Sequence, residues 1–299
     1  MRIVQALATT RPFFSFEFFP PKDDAGTDQL FAAIDTLRPL RPAFVSITYG
    51  AGGSMRVRTI DLAKRIQREL GLTVLAHVTC VDATRADLRA LFDDLARAGI
   101  ENVLALRGDP PRGSTGFTPS PSGFRHASEL IAMLHRNYDF CIGAACYPEK
   151  HVEAESMESD LAHLREKVEA GADFLISQLF FDNDAFGTFV ARANGLGVRV
   201  PILPGLMPIT NYEQITRFVA MCGATIPPKL RAEMEERRGD ARAVEDLGVS
   251  YAAMQAVELL RRGVPGIHFY TLNRSPATRA IVSGMLAASA WRPHPVIVR

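Results

Sequence analysis

The chain has 299 residues, 47% of them hydrophobic, with 34 basic against 33 acidic side chains and a formal net charge of +1. It can bury a large core, in one big α/β domain or two ordinary ones. So even a charge balance gives no long-range field to recruit nucleic acid or an anionic membrane, which leaves a compact ligand as the expected partner.

The apolar patch at residues 3–8 is too short for a secretory signal core, and no apolar run approaches membrane-spanning length. The expected location is the cytoplasm. Phe13-Phe14-Ser15-Phe16-Glu17-Phe18-Phe19 then reads as a first strand closed by Pro20 and Pro21. Alternation puts Phe14, Phe16 and Phe18 on one side and Ser15 with Glu17 on the other. A glutamate in aromatic company needs a partner or a function if it is buried, and from this stretch alone an edge or surface glutamate is an equal reading.

Helical spacing over 26–38 precedes a second strand at 43–49; a helix at 55–70 leads to a strand at 73–79, and a helix at 85–98 to a strand at 102–107. Further strands are expected at 140–147, 173–179, 198–204 and 266–272, with helices between them, including 153–170, 212–221 and a highly charged stretch over 228–262. Cys141 and Cys146, five apart on one expected strand, face opposite sides, and the four cysteines show no CxxC spacing, which argues against a disulfide framework or a metal site. Eight strands alternating with helices at roughly thirty-residue intervals fit a single (β/α)8 TIM barrel over 1–299. An open dinucleotide-binding sheet would want GxGxxG after its first strand, which is absent. Glu17, Thr48, His77, Arg107 with Asp109, Tyr147, Gln178 and Arg274 fall at or just past strand C-terminal ends, where barrel active sites are built. Two connections are long: the Gly/Pro/Ser-rich loop 108–123, which reads as a mobile flap over the mouth or as an inert surface loop, and the link over 205–265 between the last two strands.

Two stretches carry chemistry by residue type. Gly50-Ala51-Gly52-Gly53-Ser54 lets backbone approach a planar or phosphorylated ligand, although a tight turn needs the same glycines. Leu104-Ala105-Leu106-Arg107-Gly108-Asp109 delivers a cation and a carboxylate to the rim, either as a mutually neutralising pair or with Asp109 gripping adjacent N–H donors of a ligand.

Six motifs in order, Phe16-Glu17-Phe18-Phe19-Pro20-Pro21, Thr48-Tyr49-Gly50-Ala51-Gly52-Gly53, Ala105-Leu106-Arg107-Gly108-Asp109, Tyr147-Pro148-Glu149, Gln178-Leu179-Phe180-Phe181-Asp182 and His268-Phe269-Tyr270-Thr271-Leu272-Asn273-Arg274, resemble the methylenetetrahydrofolate reductase family in its bacterial, catalytic-domain-only form. The resemblance implies FAD, NADH or NADPH as co-substrate, and ping-pong reduction of 5,10-methylenetetrahydrofolate to 5-methyltetrahydrofolate for methionine synthesis. It implies a soluble enzyme, open to homo-oligomer formation, without the C-terminal domain through which eukaryotic relatives respond to S-adenosylmethionine. By resemblance Glu17 is the acid, and Asp109 acts beside it at the pterin. Thr48, Tyr49, Ala51, His77, Arg107, Gly108, Asp109, Ala127, Tyr147, His151, Ala154, Asp160 and Lys167 match positions that hold cofactor, and Asp109, Gln178, Gln214, Phe218 and Arg274 match positions that hold substrate.

His77 and Tyr147 read equally as satisfied core groups, and Asp160 and Lys167 as solvent residues of one helix. Within 153–170, His163 and Glu166 stand where better-known relatives carry an amide and a basic residue beside the flavin, so weaker retention of FAD is expected. Burial among Phe16, Phe18 and Phe19 would keep Glu17 in its acid form. The altered helix also leaves room for a flavin-free barrel, a lyase or a folate-binding methyltransferase, and a non-catalytic folate-binding protein is a further alternative.

Overall fold

The computed structural model describes residues 1–9, 12–49, 53–109, 117, 119–289 and 291–292, residues 53–57 by backbone alone. In chain order the elements are α1 (Ile3–Thr9), β1 (Phe13–Phe18), α2 (Asp24–Leu37), β2 (Phe44–Ile47), α3 (Gly53–Leu70), β3 (Val74–Thr79), α4 (Arg85–Arg97), β4 (Asn102–Leu106), α5 (Ala127–Asn137), β5 (Cys141–Cys146), α6 (Met157–Glu169), β6 (Phe174–Ser177), α7 (Asn183–Gly195), β7 (Ile202–Leu203), β8 (Gly205–Leu206), α8 (Tyr212–Cys222), α9 (Pro228–Glu236), α10 (Ala241–Arg261), β9 (Gly266–Tyr270) and α11 (Ser275–Ala288).

The strands follow one another around the sheet in the order β7-β6-β5-β4-β3-β2-β1-β9-β8, every pairing parallel. The expected seventh strand is two short pieces, because Pro204 lacks the N–H a continuous ladder needs. β7 pairs with β6 and β8 with β9, so the interrupted strand joins the two ends of the sheet and completes a TIM-barrel-like fold.

β1 is buried along its whole length because both of its faces are covered. Phe14, Phe16 and Phe18 pack outward in the layer between sheet and helices, whereas Phe13 joins Phe44, Leu75, Leu104, Cys141, Phe174 and Leu203 inside the barrel. The interior is therefore apolar at its N-terminal end. Toward the C-terminal end it turns polar, with Ser15, Ser46, Ser177 and His268 buried, then Glu17 and His77. The floor is closed by α1, which the sequence reading leaves as a short apolar patch. Ile3 and Leu7 plug the barrel, and the Ile3 amide donates to Asn102 Oδ1 at 2.8 Å while Asn102 Nδ2 donates to Met1 O and Val74 O. Burying two such side chains contributes about 1.5–3 kcal/mol each, which suits a seven-residue helix too short to stand alone.

The charged stretch 228–262 is two helices, not one. α9 ends at Glu236, and Asp240 starts α10 by accepting from the amides of Arg242 and Ala243 at 3.0 Å each. Together α8 and α9 bury Ile215, Val219, Leu230 and Met234 against Leu179, Phe181, Met207 and Ile209 beyond the strand ends. The long connection is thereby a packed wall beside the mouth. Half of the expected flap, 110–116 and 118, lies outside the described residues, as do Gly50, Ala51 and Gly52. Cys80, Cys141, Cys146 and Cys222 are free thiols, and no metal-binding cluster occurs among the described residues.

Candidate active site

Glu17 occupies the second-last position of β1, inside the barrel, in register with Ser46 on one side and Tyr270 on the other. The phenylalanines flanking it in sequence face away from it; its company is two imidazoles and a phenol. His268 Nε2 lies 3.4 Å and His77 Nε2 3.6 Å from the same oxygen, Glu17 Oε2. The other nitrogen of His268, Nδ1, meets Ser15 Oγ at 2.8 Å. The Glu17 carbonyl accepts from the Thr271 hydroxyl at 2.6 Å, tying β1 to the turn after β9.

Burial pushes the His77 imidazole down to about 4, more than the Glu17 carboxylate can offset, so this ring is neutral near pH 7. Its Nε2 is buried without a hydrogen-bond partner. Burial also holds the Tyr270 phenol well above its ordinary range, and that hydroxyl donates to Ser177 O at 2.6 Å. The mouth thus holds one carboxyl faced by the neutral His77 ring, the Tyr270 phenol and the hydrogen-bonded His268 imidazole.

Between the ends of β4 and β5 and the start of α6 is a cavity of about 260 Å³. Arg107, Ala127, Tyr147, His151, Ala154, Asp160 and Lys167 all line it. The β5–α6 connection is held in shape from within. Asp160 Oδ2 accepts the His151 amide at 3.1 Å, and Lys150, in a left-handed conformation at φ +81, donates to His151 O at 3.2 Å and to Ala154 O at 2.5 Å. Seven residues apart, Asp160 and Lys167 share one face of α6, and Lys167 Nζ donates to Ala145 O at 3.0 Å. Burial lowers the Lys167 ammonium from its usual value, with Asp160 acting the other way. Burial raises the Tyr147 phenol and, with the nearby Arg107 charge, lowers His151, whose ring meets Tyr147 edge-on at 4.7 Å.

Arg107 does not pair with Asp109. Its guanidinium forks onto Glu153, with Nη2 donating to Oε1 at 2.9 Å and Nη1 to Oε2 at 2.5 Å, and its flat face lies 4.8 Å from the Phe117 ring centroid. This raises Arg107 further and holds the Glu153 carboxyl below the usual carboxylate range. Gly108 follows at φ +88, and a Cβ there would come within 2.7 Å of Val81 Cγ1. Asp109 is exposed at the rim.

Thr48, with its amide on Phe18 O at 2.9 Å, and Tyr49 continue β2 at the mouth, while Ala51 lies outside the described residues. Gln178 follows β6, its Oε1 accepting the Leu179 amide at 2.8 Å. Gln214 and Phe218 lie one turn apart on α8. Arg274 caps α11 and lines a separate groove of about 450 Å³ with Gln29, Thr210 and Glu245, away from the Lys167 cavity. Glu153, His126, His163 and Glu166 line the cavity as well, His163 and Glu166 only 3.3 Å apart. Ser15 and His268 were not singled out from the sequence as site residues. Their signal was available: each lies two positions from Glu17 or Tyr270 along its strand, the spacing of one sheet face.

Residues 2–285 match the family model described as methylenetetrahydrofolate reductase. The 5,10-methylenetetrahydrofolate reductase of Escherichia coli K12 is 40% identical over 267 residues, covering 89% of this chain and 88% of that protein. The methylenetetrahydrofolate reductase (NADH) 1 of Arabidopsis thaliana is 40% identical over 271 residues, 87% of this chain but 46% of its own length. The chain spans about half the length of the plant relatives it matches. Among solved structures, a Clostridium thermocellum protein described as binding two copies of 5-methyl-5,6,7,8-tetrahydrofolic acid superposes with a TM-score of 0.64 at 16% identity, covering 94% of this chain and 96% of that one. At that identity the likeness is one of fold.

Proposed function

The chain belongs to the methylenetetrahydrofolate reductase family, and on that footing we propose that it reduces 5,10-methylenetetrahydrofolate to 5-methyltetrahydrofolate with NADH or NADPH, by a ping-pong scheme that uses bound FAD. The product carries the methyl group required for methionine synthesis. The observation that carries the proposal is Glu17, a buried carboxyl at the barrel mouth facing His77, His268 and Tyr270, in a barrel whose β4–β5 end also holds a cavity that gathers Arg107, Tyr147, Asp160 and Lys167.

The donor set of that cavity fits a flavin dinucleotide. Lys167 and Arg107 supply positive charge for phosphates, Tyr147 and His151 supply flat surface, and Asp160 shapes the loop around them. Glu166, which also lines the cavity, is set against His163 and works in the opposite direction. The chemistry that bound FAD supplies is carriage of two electrons, as hydride, from nicotinamide to folate.

The protein's own part is orientation and a proton. Asp109, at the rim, accepts paired N–H groups from the pterin edge, and Gln178, after β6, meets the pterin as well. Glu17 gives its proton to a nitrogen of the folate's five-membered ring, which opens to an iminium able to accept hydride. Phe218 and Gln214, on the packed wall of α8, and Thr48 border the space in which nicotinamide and folate take turns. Arg274 belongs to the substrate side from its own groove.

Two measurements test the proposal. The purified protein should carry a flavin absorption band that bleaches with anaerobic NADH; a colourless protein that neither takes up added FAD nor oxidises NADH would overturn it. Glu17→Gln keeps the shape and removes the proton. It should leave bleaching by NADH within a few-fold of wild type while re-oxidation by methylenetetrahydrofolate falls by about 10²-fold or more. Equal loss in both half-reactions, or in neither, would make Glu17 a structural carboxylate.

A further inference from the structure

Glu17 Oε2 is addressed by two buried imidazole nitrogens, and one of those rings, His268, has its second nitrogen hydrogen-bonded as well. His268 is wholly buried and bridges Ser15 Oγ and Glu17 Oε2 through its opposite nitrogens, at 2.8 Å and 3.4 Å. Its ring is fixed in plane by Phe44, stacked at 5.7 Å and 20°, and by Tyr270, which meets it edge-on at 5.4 Å. Ser15, His268 and Glu17 are therefore a rigid chain of three polar groups, and the register Ser15↔His268 and Glu17↔Tyr270 places all of them on the interior face.

We propose that Ser15 and His268 hold the Glu17 carboxyl in place in both of its protonation states, making His268 a positioning residue for proton delivery. The inference rests on Glu17 acting as the acid. A neutral imidazole has one N–H and one lone pair. With the proton on Nδ1, the ring donates to Ser15 Oγ and its Nε2 accepts the O–H of protonated Glu17. Once Glu17 has given up its proton, the ring with its proton on Nε2 donates to the carboxylate, and the Ser15 hydroxyl turns to donate to Nδ1. The net change is one proton from Glu17 to the folate and one from Nδ1 to Nε2 of the same ring, with the Ser15 hydroxyl reversing its hydrogen bond. A hydroxyl suits this position because it both donates and accepts. His77 cannot substitute, since its Nε2 lies 3.6 Å away without a hydrogen bond. The groups that face Glu17 are then Ser15 on its own strand, Ser46 on β2, His77 on β3, and His268 with Tyr270 on β9. His268 is the one with hydrogen-bond partners at both ring nitrogens.

The test is nitrogen NMR of the protein labelled with ¹⁵N-histidine, which reads the tautomer of each ring directly and needs no folate. Across the titration of Glu17 the His268 signals should exchange between the Nδ1–H and Nε2–H patterns without passing through imidazolium, and Glu17→Gln should abolish the exchange. One unchanging tautomer, or a charged ring, would overturn the proposal. In the kinetic arm, Ser15→Ala and His268→Gln should each slow re-oxidation by methylenetetrahydrofolate at least about tenfold more than reduction by NADH. Equal slowing of both halves would reduce His268 to a packing residue against Phe44. Failure of the functional reading has a different signature: wild-type protein inert toward folate, with the tautomer exchange still visible.

Discussion

The fork between Arg107 and Glu153 makes the most direct claim about how tightly this cavity binds an anion. Arg107 lines the cavity, and both of its terminal nitrogens are already committed to one carboxylate. A phosphate of a bound dinucleotide must either share that guanidinium or displace Glu153. The side chains are 22% and 44% exposed, so solvent screens the pair and its net worth is about 1 kcal/mol, not the larger value of a dry pair. Removing the charge in Glu153→Gln recovers most of that and takes a negative charge away from the cavity. The expected gain is about 1 kcal/mol, close to fivefold in affinity. It should be read by titrating FAD into stripped protein and following flavin fluorescence at two ionic strengths, with the gain larger at low salt. Weaker binding by a similar factor would refute the reasoning, because it would mean that Glu153 orients Arg107 for the ligand instead of competing with it.

Asp109→Asn should weaken use of methylenetetrahydrofolate by about 2 kcal/mol while leaving flavin retention close to wild type, since an amide accepts only one of two paired N–H groups; steady-state kinetics with both substrates varied would show it. His77 is depressed to about 4 from 6.5, so between these values the unfolded chain binds a proton that the native one refuses, and stability rises with pH across that window. His77→Gln should remove about 2 kcal/mol of the stability that wild type loses between pH 6.5 and pH 5, measured by urea unfolding at each pH. Gly248→Ala would set a Cβ 1.8 Å from Ile209 O, where α10 crosses the rim; urea unfolding should show a loss of about 2 kcal/mol, and an unchanged midpoint would mean that the crossing yields easily.

The beat of apolar strand and amphipathic helix was legible along the chain because both periods are local, and so was the placement of polar residues at strand ends. Alternation along β1 also assigned Glu17 to the face opposite Phe14, Phe16 and Phe18. What those phenylalanines surround was not legible. They pack outward against helices, and the carboxyl meets His77 and His268, which lie 60 and 251 positions away and arrive only when the sheet closes. The same holds for Arg107. Its neighbour in sequence is Asp109, but its partner is Glu153, because the β5–α6 loop folded around Asp160 and Lys150 delivers that carboxylate to it. Local spacing could not show that α1 is a plug or that 228–262 breaks at Asp240. Seven apolar-tending residues form a helix only when the barrel floor buries Ile3 and Leu7, and a charged run ends only where a cap finds free amides. The sequence by itself determined the order of strands and the side of each strand that faces inward. Closure of the barrel decided which groups on that inner side touch, because contacts between distant strands depend on register and packing, which no local period records.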